Sequence, residues 1–406
     1  MPNTLRCGAR QAATAVGSDL APVIDISSYD PSQRADPALL ESVRVACEHT
    51  GFLTVLGHGA DLLLAKLCME LGAEAFDLPM ERKRELIVQD MTVGRGYEIS
   101  PEHRRYAQHF VENVRPGHCC WRAHPEPSAQ EGILSERLMC GPTPGDPERL
   151  GLPADYFTSD LGQAFFAPNA WPDAEVPKLS KSMMRLYRQL DDIASRLLLL
   201  FAEALDADRE AFARALAGHH SNMQVANYPS LLSEPGPDDI RKKAHTDSGT
   251  MTLLLSDGWM RRGHRRQGAP RKGPGLGGLE LYVGGEWVPV RVEEGAILVN
   301  IGSLLTVWTN GLWKSTLHRV TNPDVSRAEE SRRISIAFFQ KPNYNTVVEP
   351  LPSCVARTGG AARFEATPVS GLTRQGIMHS LRHLPAEEAS ARYHELMLKI
   401  RDAQGS

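Results

Sequence analysis

The chain has 406 residues, a hydrophobic fraction of 42%, a charged fraction of 23% and a formal net charge of −4. These values are ordinary for a globular protein, and the length allows one large core or two. The small negative charge makes nucleic acid an unexpected partner, because domains that bind nucleic acid carry basic surfaces. The sequence has no apolar run of the roughly 18 residues that a membrane helix needs, so we expect no membrane association.

The seven cysteines form an odd set without a repeated spacing. In a chain of this size, that pattern indicates a reducing compartment rather than a disulfide framework. Residues 1–20 lack the apolar segment of a secretory signal, and we predict a disordered leader there, with an organelle transit peptide left open. We therefore expect a cytoplasmic protein, monomeric or homodimeric, that acts on a small molecule.

The N-terminal half contains several stretches with apolar residues at helical spacing. They predict helices over residues 36–50, 61–76 and 178–205, with a strand over 51–55. A further helix is predicted to begin at Asp206, because an aspartate side chain caps the first amide groups of a helix well.

From residue 223 onward the pattern changes to short strand-like segments separated by Gly, Pro and Asn. The predicted strands cover residues 224–228, 250–255, 279–283, 287–290, 296–300, 316–322 and 333–340. Many short strands with turn residues between them favour a jelly roll. The basic run Arg261–Gly275 interrupts the pattern, and we interpret it as a solvated insertion in a hairpin loop rather than an anion site.

These patterns divide the chain into five segments. In chain order they are a leader (1–20), an N-terminal domain (21–175), long helices packed on the barrel (176–222), a jelly-roll core (223–345) and a C-terminal extension ending in a helix (346–406).

Two histidines and one aspartate in the C-terminal half have the character of metal ligands. In His245-Thr246-Asp247, the first and third residues would share one face of a strand, and His318 would be brought to them by the fold. Two His and one carboxylate form the facial triad of non-haem Fe(II) oxygenases, which leaves positions open on the metal. The pattern therefore predicts an iron site with room for a bidentate keto acid and O2.

Several motifs accompany this triad in a fixed order. They are Asn227-Tyr228-Pro229, Gly277-Gly278-Leu279, Asn300-Ile301-Gly302, Trp308-Thr309-Asn310-Gly311, His318-Arg319-Val320 and Arg333-Ile334-Ser335. With matching N-terminal segments such as Pro22-Val23-Ile24-Asp25-Ile26, they make residues 20–350 resemble the 2-oxoglutarate/Fe(II) dioxygenase superfamily, in its isopenicillin N synthase-like branch. The resemblance implies a mainly β fold with flanking helices, whose double-stranded β-helix core follows a helical N-terminal region.

The same resemblance implies an oxygenase that uses Fe(II), 2-oxoglutarate and O2. Its default reaction would be hydroxylation of a small organic metabolite, with release of succinate and CO2. Residues 111–173 show little periodicity and are predicted to form loops and short turns, and the resemblance places substrate contacts in and just before this segment. The candidates there are Tyr106, Phe110, Glu112, Arg115 and Trp121.

A keto acid held by iron still needs a partner for its far carboxylate. Arginine binds a carboxylate with two parallel hydrogen bonds, so we assign Arg333, with Ser335 on the same strand face. Tyr228 would add its hydroxyl, Asn227 is a weaker candidate, and Arg332 should point away. Two alternatives stay open: an oxidase without keto acid, in which this pair binds a substrate carboxylate, and a non-catalytic protein that captures a small acid.

Overall fold

The computed structural model describes residues 20–88, 94–99, 135–231, 240–259, 277–324 and 331–373. It also describes residues 326, 384–385, 388, 391–392 and 395, and the backbone of 114–115 and 118–119. Residues 1–19 of the predicted leader, the basic run Arg261–Gly275 and most of the predicted C-terminal helix therefore lie outside the described residues, whereas Leu20, the last leader residue, is described and buried.

Eight helices occur in the part of the chain that the structure describes. They are α1 (Pro37–His49), α2 (Leu62–Phe76), α3 (Met80–Glu85), α4 (Asp160–Phe165), α5 (Leu179–Ala204), α6 (Arg209–Leu216), α7 (Ser303–Trp308) and α8 (Pro352–Arg357). Two aspartates fix the starts of α1 and α2: Asp36 accepts a hydrogen bond from the Ala38 amide and Asp61 from the Leu64 amide. None of the described helices is long and apolar enough to cross a membrane.

The predicted helix start at Asp206 is wrong by two residues. Asp206 instead ends α5, because its amide donates to the Glu203 carbonyl and its φ is +52°. This left-handed conformation turns the chain out of the helix. The cap of α6 is Asp208, whose carboxylate accepts from the Glu210 amide at 2.9 Å.

The strands alternate with these helices in the first half of the chain and dominate the second. They are β1 (Val23–Asp25), β2 (Phe52–Leu56), β3 (Gly96–Ile99), β4 (Val114–Arg115), β5 (His118–Cys119), β6 (Glu136–Cys140), β7 (Asn222–Tyr228), β8 (Lys242–His245), β9 (Met251–Ser256), β10 (Leu279–Val283), β11 (Glu286–Pro289), β12 (Ile297–Ile301), β13 (His318–Val320), β14 (Arg333–Gln340), β15 (Val347–Val348) and β16 (Thr367–Pro368).

Twelve of these strands form two sheets. The large sheet has the order β1-β2-β12-β9-β14-β7-β6-β3, and the small sheet has the order β11-β10-β13-β8. Only loops were predicted between residues 111 and 173, but β6 lies there and pairs with β3 and β7. Strands from the N-terminal region thus extend the same sheet that carries the jelly-roll strands.

The large sheet has an apolar layer on each face. Between the sheets lies a small cluster of residues from both: Phe52, Ala226, Tyr228, Leu279, Leu281, Leu298 and Val320. The opposite face packs against α1, α2 and α5, and it supplies Ile334, Ile336 and Phe338 from β14. Because strand residues alternate between faces, Arg333 and Ser335 point into the space between the two sheets.

Candidate metal and keto-acid site

The three predicted metal ligands meet at one end of this interior space. His245, the last residue of β8, is the direct cross-strand partner of His318, the first residue of β13, and their ring centroids are 4.3 Å apart. Asp247 Oδ1 lies 3.8 Å from His245 Nε2 and 4.0 Å from His318 Nε2. Each residue offers one ligand atom, and these three atoms lie within 4.8 Å of one another. Two imidazole nitrogens and one carboxylate oxygen in this arrangement fit a divalent iron ion.

The reason for the proximity of His245 and Asp247 differs from the prediction. Strand β8 ends at His245, so Asp247 does not reach the site by strand alternation. It lies in the turn between β8 and β9, and its carbonyl accepts the Ser303 amide of α7 at 2.8 Å. The first amides of a helix lack partners inside the helix, and here one of them holds the turn that carries the aspartate.

A close backbone approach completes this turn. The Gly302 amide donates to the Thr250 carbonyl at 2.7 Å and the Leu304 amide to the Gly249 carbonyl at 3.1 Å. A Cβ on Gly302 would collide with the Gly249 carbonyl and lie 3.1 Å from the Asp247 carbonyl. Glycine at position 302 therefore allows α7 and the metal-site turn to pack against each other.

Backbone carbonyls orient both imidazoles. His245 Nδ1 lies 2.8 Å from the Lys243 carbonyl, and His318 Nδ1 lies 3.0 Å from the Thr316 carbonyl. A carbonyl can only accept, so each Nδ1 carries a proton, and Nε2 is the ring nitrogen directed at the side of Asp247. Desolvation, together with the neighbouring His318, lowers the pKa of His245 well below its ordinary value. His245 is therefore held in the neutral form that a metal requires.

Two side chains fix the carboxylate. Thr252 Oγ1 donates to Asp247 Oδ2 at 2.6 Å, and Asn300 Nδ2 donates to the same oxygen at 2.8 Å. Oδ1 is left facing the two histidines. Burial raises the pKa of Asp247, but the two histidines and these hydrogen bonds outweigh it, and the net shift is downward. The carboxylate is therefore ionised and directed at the ligand group.

The predicted carboxylate-binding residues share the interior face of the large sheet. Arg333 pairs directly with Tyr228, and Ser335 pairs with Ser256 on its other side. Arg333 Nε donates to Ser256 Oγ at 3.2 Å, and its guanidinium carbon lies 5.9 Å from the Tyr228 ring centroid. The Arg333 guanidinium and the Tyr228 phenol thus lie close together, in the same space between the sheets as the metal ligands.

Asn227 does not join this group, contrary to its assignment as a keto-acid contact. It lies on the opposite face of β7, where it donates to Glu136 at 2.8 Å and accepts from Arg332 Nε at 3.1 Å. The strand period of two places it opposite Ile334 rather than opposite Arg333. Its role here is to tie the two neighbouring strands together beneath the helices.

The predicted substrate contacts cannot be placed with the rest. Tyr106, Phe110, Glu112 and Trp121 lie outside the described residues, and Arg115 belongs to β4 with only its backbone described. Conversely, sequence reasoning assigned no role to Thr252, Asn300, Ser256 or Arg241. The signal for Thr252 and Asn300 was present, since both occupy interior-facing positions on strands next to the metal-site turn.

A two-sheet jelly roll with a His/Asp/His ligand group and an interior arginine defines a class of non-haem metal enzyme. The family models agree with it over most of the chain. Residues 220–342 match the 2OG-Fe(II) oxygenase superfamily, and residues 21–174 match the N-terminal domain of non-haem dioxygenases described from morphine synthesis.

Individual relatives extend the agreement. The chain is 30% identical over 365 residues to homoarginine-6-hydroxylase of Oryza sativa subsp. japonica, covering 86% of this chain and 94% of that protein. It is 29% identical over 340 residues to clavatol oxidase of Penicillium crustosum, covering 82% and 88%.

Solved structures share the fold. A full-length Neurospora crassa protein, crystallised in complex with alpha-KG and thymine, superposes with a TM-score of 0.65 at 20% identity, covering 90% of this chain and 98% of that chain. The rice dioxygenase for auxin oxidation superposes with a TM-score of 0.55 at 20% identity, covering 86% and 92%. The predicted double-stranded β-helix core is confirmed.

The chain belongs to the 2-oxoglutarate/Fe(II) oxygenase superfamily. It is an oxidoreductase that uses Fe(II), 2-oxoglutarate and O2 to oxidise a small organic molecule.

Proposed function

We propose that His245, Asp247 and His318 bind the catalytic iron of this oxygenase. The observation that carries the proposal is the convergence of their ligand atoms within 4.8 Å, with both Nδ1 atoms and Asp247 Oδ2 occupied by other partners. Each residue is left with one atom for a metal. The carbonyls behind the histidines, and Thr252 and Asn300 behind the aspartate, hold these atoms in place before the metal binds.

We propose that Arg333, Ser335 and Tyr228 bind the far carboxylate of 2-oxoglutarate. Support comes from their shared interior face and from the fixed guanidinium of Arg333, which Ser256 holds by its Nε. An arginine can then direct its terminal nitrogens at a carboxylate. Asn227 is not among the residues that we propose to bind 2-oxoglutarate.

When bound, the iron and the keto acid supply the oxidising chemistry, in which 2-oxoglutarate gives succinate and CO2 while the substrate loses two electrons. This chain's residues bind and orient the reactants. The apolar residues between the sheets, such as Phe52, Leu281 and Leu298, limit water beside the site. Phe52 packs edge-on against His318, with the ring centroids 5.7 Å apart.

Hydroxylation of a small metabolite is the outcome we propose. The relatives are named for chemically different compounds, homoarginine, clavatol and validamycin A among them. At about 30% identity such names support the reaction type rather than one substrate. Desaturation and ring closure would need the same residues and differ only in the fate of the substrate.

The experiment is a substrate panel with Fe(II), ascorbate and 2-oxoglutarate, in which succinate and substrate products are both quantified. We expect succinate to depend on Fe(II) and 2-oxoglutarate, and to increase with a true substrate. Substrate oxidation and O2 use without succinate would assign the chain to the oxidases that need no keto acid. Keto-acid binding without any turnover would instead favour a binding protein on this fold.

We also propose a reducing compartment, the cytoplasm, for this enzyme. Four cysteines among the described residues, Cys47, Cys68, Cys140 and Cys354, are buried free thiols. The monomeric or homodimeric state and the lack of nucleic-acid and membrane partners stay predictions from composition.

A further inference from the structure

A carboxylate lies beside the arginine that we propose to bind the keto acid. Asp257 is the first residue after β9, and its Oδ2 accepts a hydrogen bond from the Ile334 amide at 3.0 Å. Ile334 directly follows Arg333 on β14. Asp257 therefore holds the backbone next to that arginine.

This hydrogen bond continues the pairing of two strands past the end of one of them. The register of β9 with β14 ends at Ser256, which lies opposite Ser335. Ile334 lies beyond this last pair, so its amide needs an acceptor other than the β9 ladder. The Asp257 side chain supplies that acceptor.

A chain of hydrogen bonds leads from the same carboxylate to the guanidinium. Arg333 Nε donates to Ser256 Oγ at 3.2 Å, and Ser256 Oγ donates to Asp257 Oδ1 at 3.3 Å. Ser256 has one hydroxyl hydrogen, and directing it at Asp257 leaves an oxygen lone pair for Arg333. The Ile334 carbonyl, 3.5 Å from the same hydroxyl, is a longer alternative for this hydrogen. Asp257 thus reaches the side chain of Arg333 through Ser256.

Donors surround the Asp257 carboxylate. Burial raises its pKa, and four neighbouring groups act in the opposite direction: the Ile334 amide, Arg333, the Gly258 amide and the Ser256 hydroxyl. A negative charge at this place would by itself repel the far carboxylate of a keto acid. Because these donors already stabilise the Asp257 charge, we expect its effect on the direction of the Arg333 guanidinium to exceed the repulsion.

We propose that Asp257 is a positioning residue for cosubstrate binding, which through Ser256 directs the Arg333 guanidinium at the far carboxylate of 2-oxoglutarate. The inference rests on the proposed keto-acid site. With Nε held by Ser256, the guanidinium cannot turn freely about its last side-chain bonds, and the plane of its terminal nitrogens is fixed. Two parallel hydrogen bonds to a carboxylate require that fixed plane.

The test is calorimetric titration of the anaerobic Fe(II)-loaded protein with 2-oxoglutarate and with 2-oxobutanoate, which lacks the far carboxylate. Asp257→Asn keeps the size of the side chain and an oxygen acceptor for the Ile334 amide, but it loses the charge that orients the Ser256 hydroxyl. The affinity for 2-oxoglutarate should fall about five- to tenfold, while the affinity for 2-oxobutanoate should stay at the wild-type value.

Asp208→Asn is the matched control. Asp208 also accepts a backbone amide, that of Glu210 at 2.9 Å, but it lies at the start of α6. This variant should bind both probes like the wild-type protein. Equal losses of Asp257→Asn for both probes, or wild-type or tighter binding of 2-oxoglutarate by it, would overturn the role of Asp257.

Ser256→Ala tests whether Asp257 acts through Ser256. The double variant Ser256→Ala/Asp257→Asn should bind 2-oxoglutarate no more weakly than Ser256→Ala alone, and losses that multiply would overturn this route. Ser256→Ala also serves if Asp257→Asn does not fold. It removes the link to Arg333 while keeping Asp257, and wild-type binding of 2-oxoglutarate by it would contradict the proposal.

Arg333→Lys in the same titration separates this proposal from the one on which it rests. Weakened 2-oxoglutarate binding by Arg333→Lys, with wild-type binding by Asp257→Asn, would overturn the role of Asp257 alone. Wild-type binding by Arg333→Lys would overturn the proposed keto-acid site, and the role of Asp257 with it.

Discussion

Arg332 and Arg333 are consecutive residues whose side chains lie on opposite faces of the large sheet. Arg332 reaches the helix-covered face, where its Nη2 pairs with Asp77 at 2.8 Å and its Nε donates to Asn227 at 3.1 Å. Arg333 points into the interior and donates to Ser256. Arg332 thus anchors α2 to the sheet, while Arg333 is directed into the interior, where the keto-acid site is proposed. This separation follows from the strand period of two.

The first prediction uses this pair. Arg333→Lys keeps the charge but loses the planar fork, so one of two hydrogen bonds to the carboxylate should disappear. Since such a bond contributes about 1.5–3 kcal/mol, the affinity for 2-oxoglutarate should fall roughly ten- to a hundredfold. Ser335→Ala should cost less, because it removes a neutral donor. Calorimetric titration measures both.

Arg332→Gln is the control for this series. It should lower the stability to urea, because contacts with Asp77 and Asn227 are lost, and leave 2-oxoglutarate affinity near wild type. If Arg332→Gln weakened 2-oxoglutarate binding and Arg333→Lys left it unchanged, the assignment of the two residues would be reversed.

The second prediction concerns the support of the metal-site aspartate. Thr252→Val and Asn300→Ala each remove one hydrogen bond to Asp247 Oδ2. Loss of such a supporting contact typically weakens metal binding ten- to a hundredfold, because the ligand is no longer fixed in orientation. Fe(II) competition titrations would measure it.

Thr54→Val is the matched control for Thr252→Val. Thr54 is also a buried threonine of the large sheet, but its hydroxyl donates to the Ala21 carbonyl at 3.0 Å, away from Asp247. It should keep wild-type iron affinity. Equal iron affinities for Thr252→Val, Asn300→Ala and the control would show that Asp247 needs no such support.

The third prediction tests the close packing at Gly302. Gly302→Ala should destabilise the fold by about 1–3 kcal/mol, because its Cβ would push α7 away from the metal-site turn. It should also reduce Fe(II) occupancy, since Asp247 lies in that turn. Gly145→Ala is the control, because the nearest atom to its Cβ is the flexible end of Leu150 at 3.2 Å. Urea unfolding and iron analysis of both variants measure these two effects. If Gly302→Ala had the same stability and iron content as Gly145→Ala, this account would be contradicted.

The fourth prediction concerns pH. His220 is buried away from the metal site, with Nδ1 2.6 Å from the Pro342 carbonyl. Burial, with the nearby Lys341, lowers the pKa of His220 well below its ordinary value. Below about pH 6.5 the unfolded chain binds a proton that the folded chain does not, so the stability from this residue is full above pH 6.5 and falls with acidification.

For one such histidine the loss between pH 7.5 and 5 is about 2 kcal/mol. His220→Asn should therefore be less stable at pH 7.5 but show a shallower decline over this range. Urea unfolding at the two pH values measures both slopes. If the free energy of unfolding fell equally with pH in the two proteins, His220 would not be a source of the acid sensitivity.

The residue types of the candidate site could be predicted from the sequence, but the contacts that position them could not. His245, Asp247, His318 and Arg333 could be proposed from the sequence because iron and a carboxylate restrict which residue types can bind them, and the structure brings the ligand atoms of the first three within 4.8 Å of one another. The reason given for Asp247 was wrong, since its place depends on a turn held by the first amides of α7, and that contact between distant segments leaves no local pattern. Asn227 was misplaced because a motif does not reveal which face of a strand each residue occupies.

The burial of Arg241 and the existence of strand β6 could not be predicted from the local sequence either, because both depend on contacts between distant segments. Arg241 stands shortly before a metal-ligand motif and looks like one of several basic residues in that run. Its burial follows only from the meeting of β7, β8 and β14. Strand β6 lies among residues rich in Pro and Gly, and it exists because β3 and β7 offer it partners on both sides.

The most direct measurement is the Fe(II) stoichiometry of the anaerobic wild-type protein and of His245→Ala, Asp247→Ala and His318→Ala. The account predicts about one tightly bound iron per wild-type chain, because the described residues contain one facial ligand group. Each variant should lose tight binding and 2-oxoglutarate-dependent succinate formation while keeping a cooperative unfolding transition. A folded Asp247→Ala protein that binds iron as tightly as wild type and still forms succinate would contradict it.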